Sequence, residues 1–259
     1  LAVSFDIPTP ATWAVDEQFL REKPDLPFPM LVKERRGKKL FRATGRQAFE
    51  VSSWEELENM ISGLSENAEG LLVQEKITDH GQEHMYSIGS YCGQDREPRA
   101  LFSMKRLRST RPFGSSALSE SAPCPEGEAL ADRFLRNLRY YGNCEIEFIY
   151  DSERGRFLFL EINNRLYKIH SLATHCGMNL SYLALLDAMG KTGPPLPEQI
   201  YGPRWWLMWY DIASGVRRMM SGEMSFQQLM APLSFDFVNG IDELDDPLPG
   251  FVNLFRGKF

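Results

Sequence analysis

Four oxygen-bearing side chains between positions 144 and 163 have the types and spacing to act together. Glu145 and Glu147 alternate with Cys144, Ile146 and Phe148, and Glu161 and Asn163 alternate with Leu158, Leu160 and Ile162. Successive strand side chains point to opposite faces. In two strands, the acids and the amide would share one face each, with the apolar residues behind. The intervening Asp151-Ser152-Glu153-Arg154-Gly155 has the length and turn chemistry of a hairpin. Glu147 precedes Glu161 by 14 residues, so a tight hairpin sets them opposite or diagonal, with Cβ atoms ~5–8 Å apart. Carboxylates so crowded repel, and burial raises their pKa values. A divalent cation relieves both problems. Hard oxygen donors without sulfur or imidazole favour Mg²⁺ or Mn²⁺ over zinc. The plainer alternative is a solvated acidic face of an antiparallel sheet. Ile149 and Phe159, expected on the same face as the acids, argue against it.

The elements around this hairpin can be read from pattern. Phe28–Lys33 reads as a strand ending in a basic residue, and the basic segment after it, with Gly37 and Gly45, as a short hairpin. Ser53-Trp54-Glu55-Glu56 is a capping box, and Trp54, Leu57, Met60, Ile61 and Leu64 mark one face of the helix it starts. Strands are expected at Leu71–Ile77, Met85–Cys92 and Ala100–Arg106, and a Ser-, Pro- and Gly-rich loop at Ser109–Pro125. A helix with Leu130, Phe134, Leu138 and Tyr141 should end at Gly142. Helices are expected over Arg165–Cys176, Leu180–Met189 and Trp205–Ser221. Hairpins and helices mix without regular βαβ alternation, which gives an α+β class.

Composition narrows the function. Twenty-nine Lys and Arg against 35 Asp and Glu leave a net charge of −6, which disfavours a nucleic-acid binder. The positive charge is clustered: seven basic residues lie within Lys33–Arg46 and four within Lys105–Arg111. Local basic patches on an acidic chain suit a small anion better than a polyanion. No apolar run approaches the ~20 residues of a membrane span, so no membrane partner is expected. Cys92, Cys124, Cys144 and Cys176 form no C-x-x-C and read as free thiols of a cytoplasmic protein. Leu1-Ala2-Val3-Ser4 reads as the tail of a helix, so an upstream part is expected to be missing.

Phe159-Leu160-Glu161-Ile162-Asn163-Asn164-Arg165 after Glu145-Ile146-Glu147-Phe148 resembles the metal-binding hairpin of the ATP-grasp superfamily, and most of all its carboxylate–amine ligases and carbamoyl-phosphate-synthetase-like members. The resemblance implies an ATP-grasp fold: two lobes with antiparallel sheets enclosing the nucleotide (1–77 and 78–192), plus a helical C-terminal extension (193–259). It implies that Glu147, Glu161 and Asn163 hold Mg²⁺ bridging ATP phosphates, and that Arg165 contacts phosphate or a substrate carboxylate. Lys33 would contact the α/β-phosphates and Lys105 would be a second phosphate-directed lysine. Glu75 and the backbone at Lys76 and Ile77 would hydrogen-bond adenine, and Glu83 the ribose. Asp246-Pro247-Leu248-Pro249 resembles a tail motif of bacterial members. The implied reaction joins a small-molecule carboxylate to an amine through an acyl phosphate, with an upstream Rossmann-like domain absent here and a homodimer left open. Two departures stand out. Glu34–Arg46 has only two glycines where the family has a glycine-rich loop, and Asn164 replaces the usual proline.

Other motifs carry less. His80-Gly81-Gln82-Glu83-His84 fits H-x-x-E-H, but glycine interrupts the helix that motif needs. Gly190-Lys191-Thr192 ends like a phosphate loop, yet Leu185 occupies the first glycine position. His170 reads as a helix residue near the substrate. Of Lys105, Arg106, Arg108 and Arg111, two are expected to line an anion site. Two further classes remain open at this stage: an ATP-grasp kinase, and a non-catalytic nucleotide-binding module of a larger protein.

Overall fold

The computed structural model describes residues 1–35, 39–63, 70–78, 84–111, 114–231, 236–241, 246, 248 and 252. After a short 3₁₀ turn at Val3–Phe5 come β1 (Thr12–Ala14), α1 (Glu17–Glu22), β2 (Met30–Glu34), α2 (Lys39–Thr44), β3 (Ala48–Val51), α3 (Trp54–Gly63) and β4 (Leu71–Glu75). The strands form one antiparallel sheet in the order β1-β4-β2-β3. Its packed face is set by alternation. Met30 and Val32 from β2 and Leu71 and Val73 from β4 are buried against Phe19, Leu57 and Ile61 of α1 and α3. Leu31, Lys33 and Gln74 therefore face the other way. Helix α3 starts on its capping box: Ser53 Oγ accepts from the Glu56 amide, while the Glu56 carboxylate reaches the Ser52 amide instead of that of Ser53. The expected hairpin after Lys33 is instead the helix α2.

The larger lobe contains β5 (Met85–Cys92), β6 (Pro98–Ser109), β7 (Ser116–Ser121), α4 (Pro125–Leu138), β8 (Gly142–Asp151), β9 (Arg156–Asn163), α5 (His170–His175) and α6 (Leu180–Ala188). Then follow β10 (Arg204–Trp206), α7 (Met208–Met220), α8 (Phe226–Met230) and β11 (Phe237–Asn239). Seven strands make one sheet in the order β11-β10-β7-β6-β5-β8-β9. Helix α4 covers one face, packing Ala131, Phe134 and Leu135 on Ile88, Ile146 and Phe148. Helices α5 and α6 cover part of the other, with Leu172, Leu180 and Leu183 against Phe102 and Met104.

The C-terminal extension carries helices α7 and α8, as expected, but also adds strands. Trp205 and Trp206 do not begin a helix; they pair with Ser119 and Leu118 and extend the sheet by two strands. Pairing supplies their backbone partners, and both indoles are buried. The β10–β11 contact is parallel, so this sheet is mixed, not wholly antiparallel. The helix expected over Arg165–Cys176 is only the six-residue α5.

Candidate active site

The acidic hairpin forms with the expected register. Glu147 lies opposite Glu161, and Glu145 opposite Asn163. The register slips between Glu147 and Phe148, so β9 carries one extra residue there. That bulge turns Leu160 to the acid side beside Glu161. It sends Phe159 to the opposite face, onto Phe134 and Phe148. The expectation that Phe159 shares the acid face is therefore corrected. Ile149, Leu158 and Leu160 instead join Ile77 and Met85 in an apolar cluster at one end of the cleft.

A cleft of about 900 Å³ separates the two sheets. Lys33 and Gln74 enter it from the small lobe, and Glu145, Glu147, Glu161, Asn163, Arg106, Arg165 and Lys168 from the large one. Lys33 Nζ donates to Gln74 Oε1 at 2.8 Å. Burial pushes the Lys33 ammonium down, against the opposing pull of Glu161 and Glu147. Arg106 donates to Ser116 Oγ at 2.9 Å and pairs with Glu147 at 3.2 Å. The Asn163 amide nitrogen donates to Glu145 at 3.2 Å and to Glu147 at 3.3 Å. Desolvation, with the charge of Glu147 second, pushes the Glu145 carboxyl up to about 7. Desolvation and Glu147 likewise push Glu161 up.

These oxygens fit a divalent cation. Two facing carboxylates and an amide oxygen are hard donors, and the raised carboxyl groups are ones that a cation would restore to their charged form. Among the described residues, no group of three or more His, Cys, Asp or Glu side chains is arranged to hold a metal by itself. With a cation bound, the hairpin would supply only part of its shell, leaving positions for water and other oxygen ligands.

The other expected residues fall in different places. Ile77 lines the apolar end of the cleft, and Glu75 lines it too. Glu75 already accepts from Arg154 at 2.5 Å, an ion pair that ties the β8–β9 turn to the small lobe. The Lys76 side chain points to Glu50 at 2.6 Å, outside the lining. Lys105 is not brought to the cleft. It has the opposite strand parity from Arg106, and its ammonium lies over the Tyr86 ring. Arg106 stands there instead. Of the four basic residues 105–111, Arg106 and Arg111 do line the cleft, while Arg108 is buried against Asp211 at 2.5 Å. Arg111 packs over Phe41 and donates to the Gly45 carbonyl at 3.2 Å. Glu83 and most of the His80–His84 motif lie outside the described residues. So do Pro247 and Pro249 of the Asp246–Pro249 motif. His170 Nδ1 hydrogen-bonds the Tyr167 carbonyl at 2.7 Å, and the residue is absent from the lining. Gln74 and Lys168 carried no sequence signal; only strand alternation could have singled out Gln74.

Residues 127–195, which include the hairpin, match the family described as carbamoyl-phosphate synthase L chain, ATP binding domain. No curated protein matches the sequence. Solved structures do. The biotin carboxylase domain of Hydrogenobacter thermophilus 2-oxoglutarate carboxylase, a dimer with MgADP, ADP and bicarbonate, superposes with a TM-score of 0.62 at 16% identity, over 78% of this chain and 47% of that one. N5-carboxyaminoimidazole ribonucleotide synthetase from Thermus thermophilus gives 0.58 at 21% identity, over 78% and 53%. Campylobacter jejuni biotin carboxylase in its β,γ-ATP complex gives 0.60 at 14%, over 78% and 47%. The chain therefore spans about half the length of these structures. Among the described residues, no helix is long and apolar enough to cross a membrane. The two lobes around the cleft thus have the ATP-grasp fold of these structures, and the family match falls on residues 127–195, around the acidic hairpin.

Proposed function

We propose that the chain is the catalytic ATP-grasp part of an ATP- and Mg²⁺-dependent ligase that joins a small carboxylate to an amine. The observation that carries this reading is the hairpin register, Glu147 opposite Glu161 and Glu145 opposite Asn163, set across a cleft from Lys33. Glu147, Glu161 and Asn163 would hold Mg²⁺, which when bound offsets the charge of the nucleotide phosphates. The apolar end at Ile77, Met85, Ile149 and Leu160 suits a purine base. Glu75 and the backbone at Lys76 and Ile77 stand at that end as candidates for its polar edge.

The protein's own cations do the remaining work. Lys33 faces the acids from the small lobe, and Arg106 and Arg165 do so from the large one, fixed positive charge where phosphoryl charge would shift. Phosphoryl transfer to the substrate carboxylate gives an acyl phosphate and ADP. Attack by the amine then expels phosphate and forms the C–N bond. Lys105 is not assigned a part, because its side chain is on the far face of the sheet. Partners on this reading are the two small-molecule substrates and an upstream domain.

The test is ADP and phosphate release by the full-length protein against a panel of carboxylate and amine pairs. Glu161→Ala and Asn163→Ala are expected to abolish Mg²⁺-dependent ADP formation while leaving the circular dichroism spectrum unchanged. Undiminished turnover in those variants refutes the site. Phosphate retained on the acceptor, with none released, would make the protein a kinase instead.

A further inference from the structure

We propose that Glu145 is a positioning residue that orients the Asn163 amide toward the metal; this rests on the metal reading of the hairpin given above. A side-chain amide has one oxygen that can ligate a hard cation and one nitrogen that cannot. Which end faces the cation is settled by what holds the other end. Glu145 stands opposite Asn163 across the β8–β9 ladder and accepts from its amide nitrogen at 3.2 Å. That bond leaves the amide oxygen as the end free to face the cleft.

Glu147 accepts from the same nitrogen at 3.3 Å, but it is poorly suited to be the permanent holder. It lies opposite Glu161 and already pairs with Arg106. Were Glu147 to ligate a cation, its oxygens would be engaged there and less available to the amide. Glu145 is deeper, only 8% exposed. Its neighbour on β5 is Gly89, which has no side chain, and the Tyr167 phenol fills the space above that glycine. Packing on that side confines the Glu145 side chain at the floor of the cleft, beneath the outer acids. The hairpin would then contain two kinds of acid. Glu147 and Glu161 meet the cation, and Glu145 fixes the third donor.

The alternative is that Glu145 binds the cation directly through its charge. Two variants of similar size separate the readings. Glu145→Gln keeps an acceptor for the Asn163 nitrogen and loses the charge. Glu145→Leu loses both and fills the same volume. Free Mn²⁺ is followed by electron paramagnetic resonance in titrations of the full chain with ADP. ADP binding in EDTA, by calorimetry, reports whether the nucleotide cleft is intact. Positioning predicts Mn²⁺ affinity close to wild type for Glu145→Gln and ~10–100-fold weaker for Glu145→Leu, the range seen when a partner behind a ligand is lost. Equal losses in both variants overturn the proposal in favour of direct ligation. Wild-type affinity in both overturns it outright. Failure of the unmutated chain to bind Mn²⁺ with ADP overturns the metal reading itself and this proposal with it.

Discussion

Raising the pH from about 5 to about 8 is expected to destabilise the metal-free protein through Glu145, because a carboxyl that titrates higher when folded binds more protons folded than unfolded across that window. Its folded value, about 7, stands above an ordinary 4.5. At 1.36 kcal/mol per pKa unit, the ionised group costs the fold about 3 kcal/mol. The sign follows directly. Below the unfolded value both states are protonated and nothing is lost. As pH climbs through 4.5 toward 7, the unfolded chain ionises freely and the folded one does not, so stability falls. Above the folded value the loss is complete. For a chain of this size, ~2–4 °C per kcal/mol makes the loss ~6–12 °C in melting temperature. Burial and Glu147 also raise the Glu161 carboxyl, so the useful quantity is a difference. Glu145→Gln should melt with wild type near pH 5 and increasingly above it toward pH 8. Thermal denaturation in EDTA at several pH values measures that gap. A gap that stays constant with pH refutes the reasoning that burial and Glu147 raise this group.

Three further outcomes are expected. Gly89→Ala would set a methyl group 2.0 Å from the Tyr167 hydroxyl, an overpacking that costs ~1–3 kcal/mol; an unchanged melting temperature would show that this floor can yield. Tyr167→Phe should be neutral or stabilising in chemical denaturation, since it removes a buried hydroxyl with no hydrogen-bond partner; a clear loss would mean that the hydroxyl is bonded in solution. Asp211→Ala should cost ~3–5 kcal/mol, because it leaves Arg108 charged and buried. The pair is enclosed, 10% and 2% exposed, and Trp206 also donates to Asp211. The double variant Arg108→Met with Asp211→Leu should recover most of the loss, and its failure to do so would assign the cost to something other than the orphaned charge.

The acidic hairpin was legible in the sequence because its information is local. A period of two along 144–148 and 158–163, with a turn of recognisable composition, sets which residues share a face and which pair, with no knowledge of the rest of the chain. The same holds for the Ser53–Glu56 cap, whereas Lys33 drew its role from the family resemblance, and the burial of Met30 and Val32 shows which side of β2 is packed. What depends on a second element was not legible. Whether Lys105 or Arg106 reaches the cleft turns on which face of β6 packs against α5 and α6, and strand propensity is silent on that. The bulge that moves Phe159 away from the acids arises from matching two strands of unequal residue count, so neither strand shows it alone. Trp205 and Trp206 look equally at home in a helix; pairing with β7 decides otherwise. Local pattern, then, determined the chemical groups and their order along the chain. Only the packing of one sheet face against its helices decided which cations meet the acids, because a side chain's direction becomes fixed only when one face of its strand is buried.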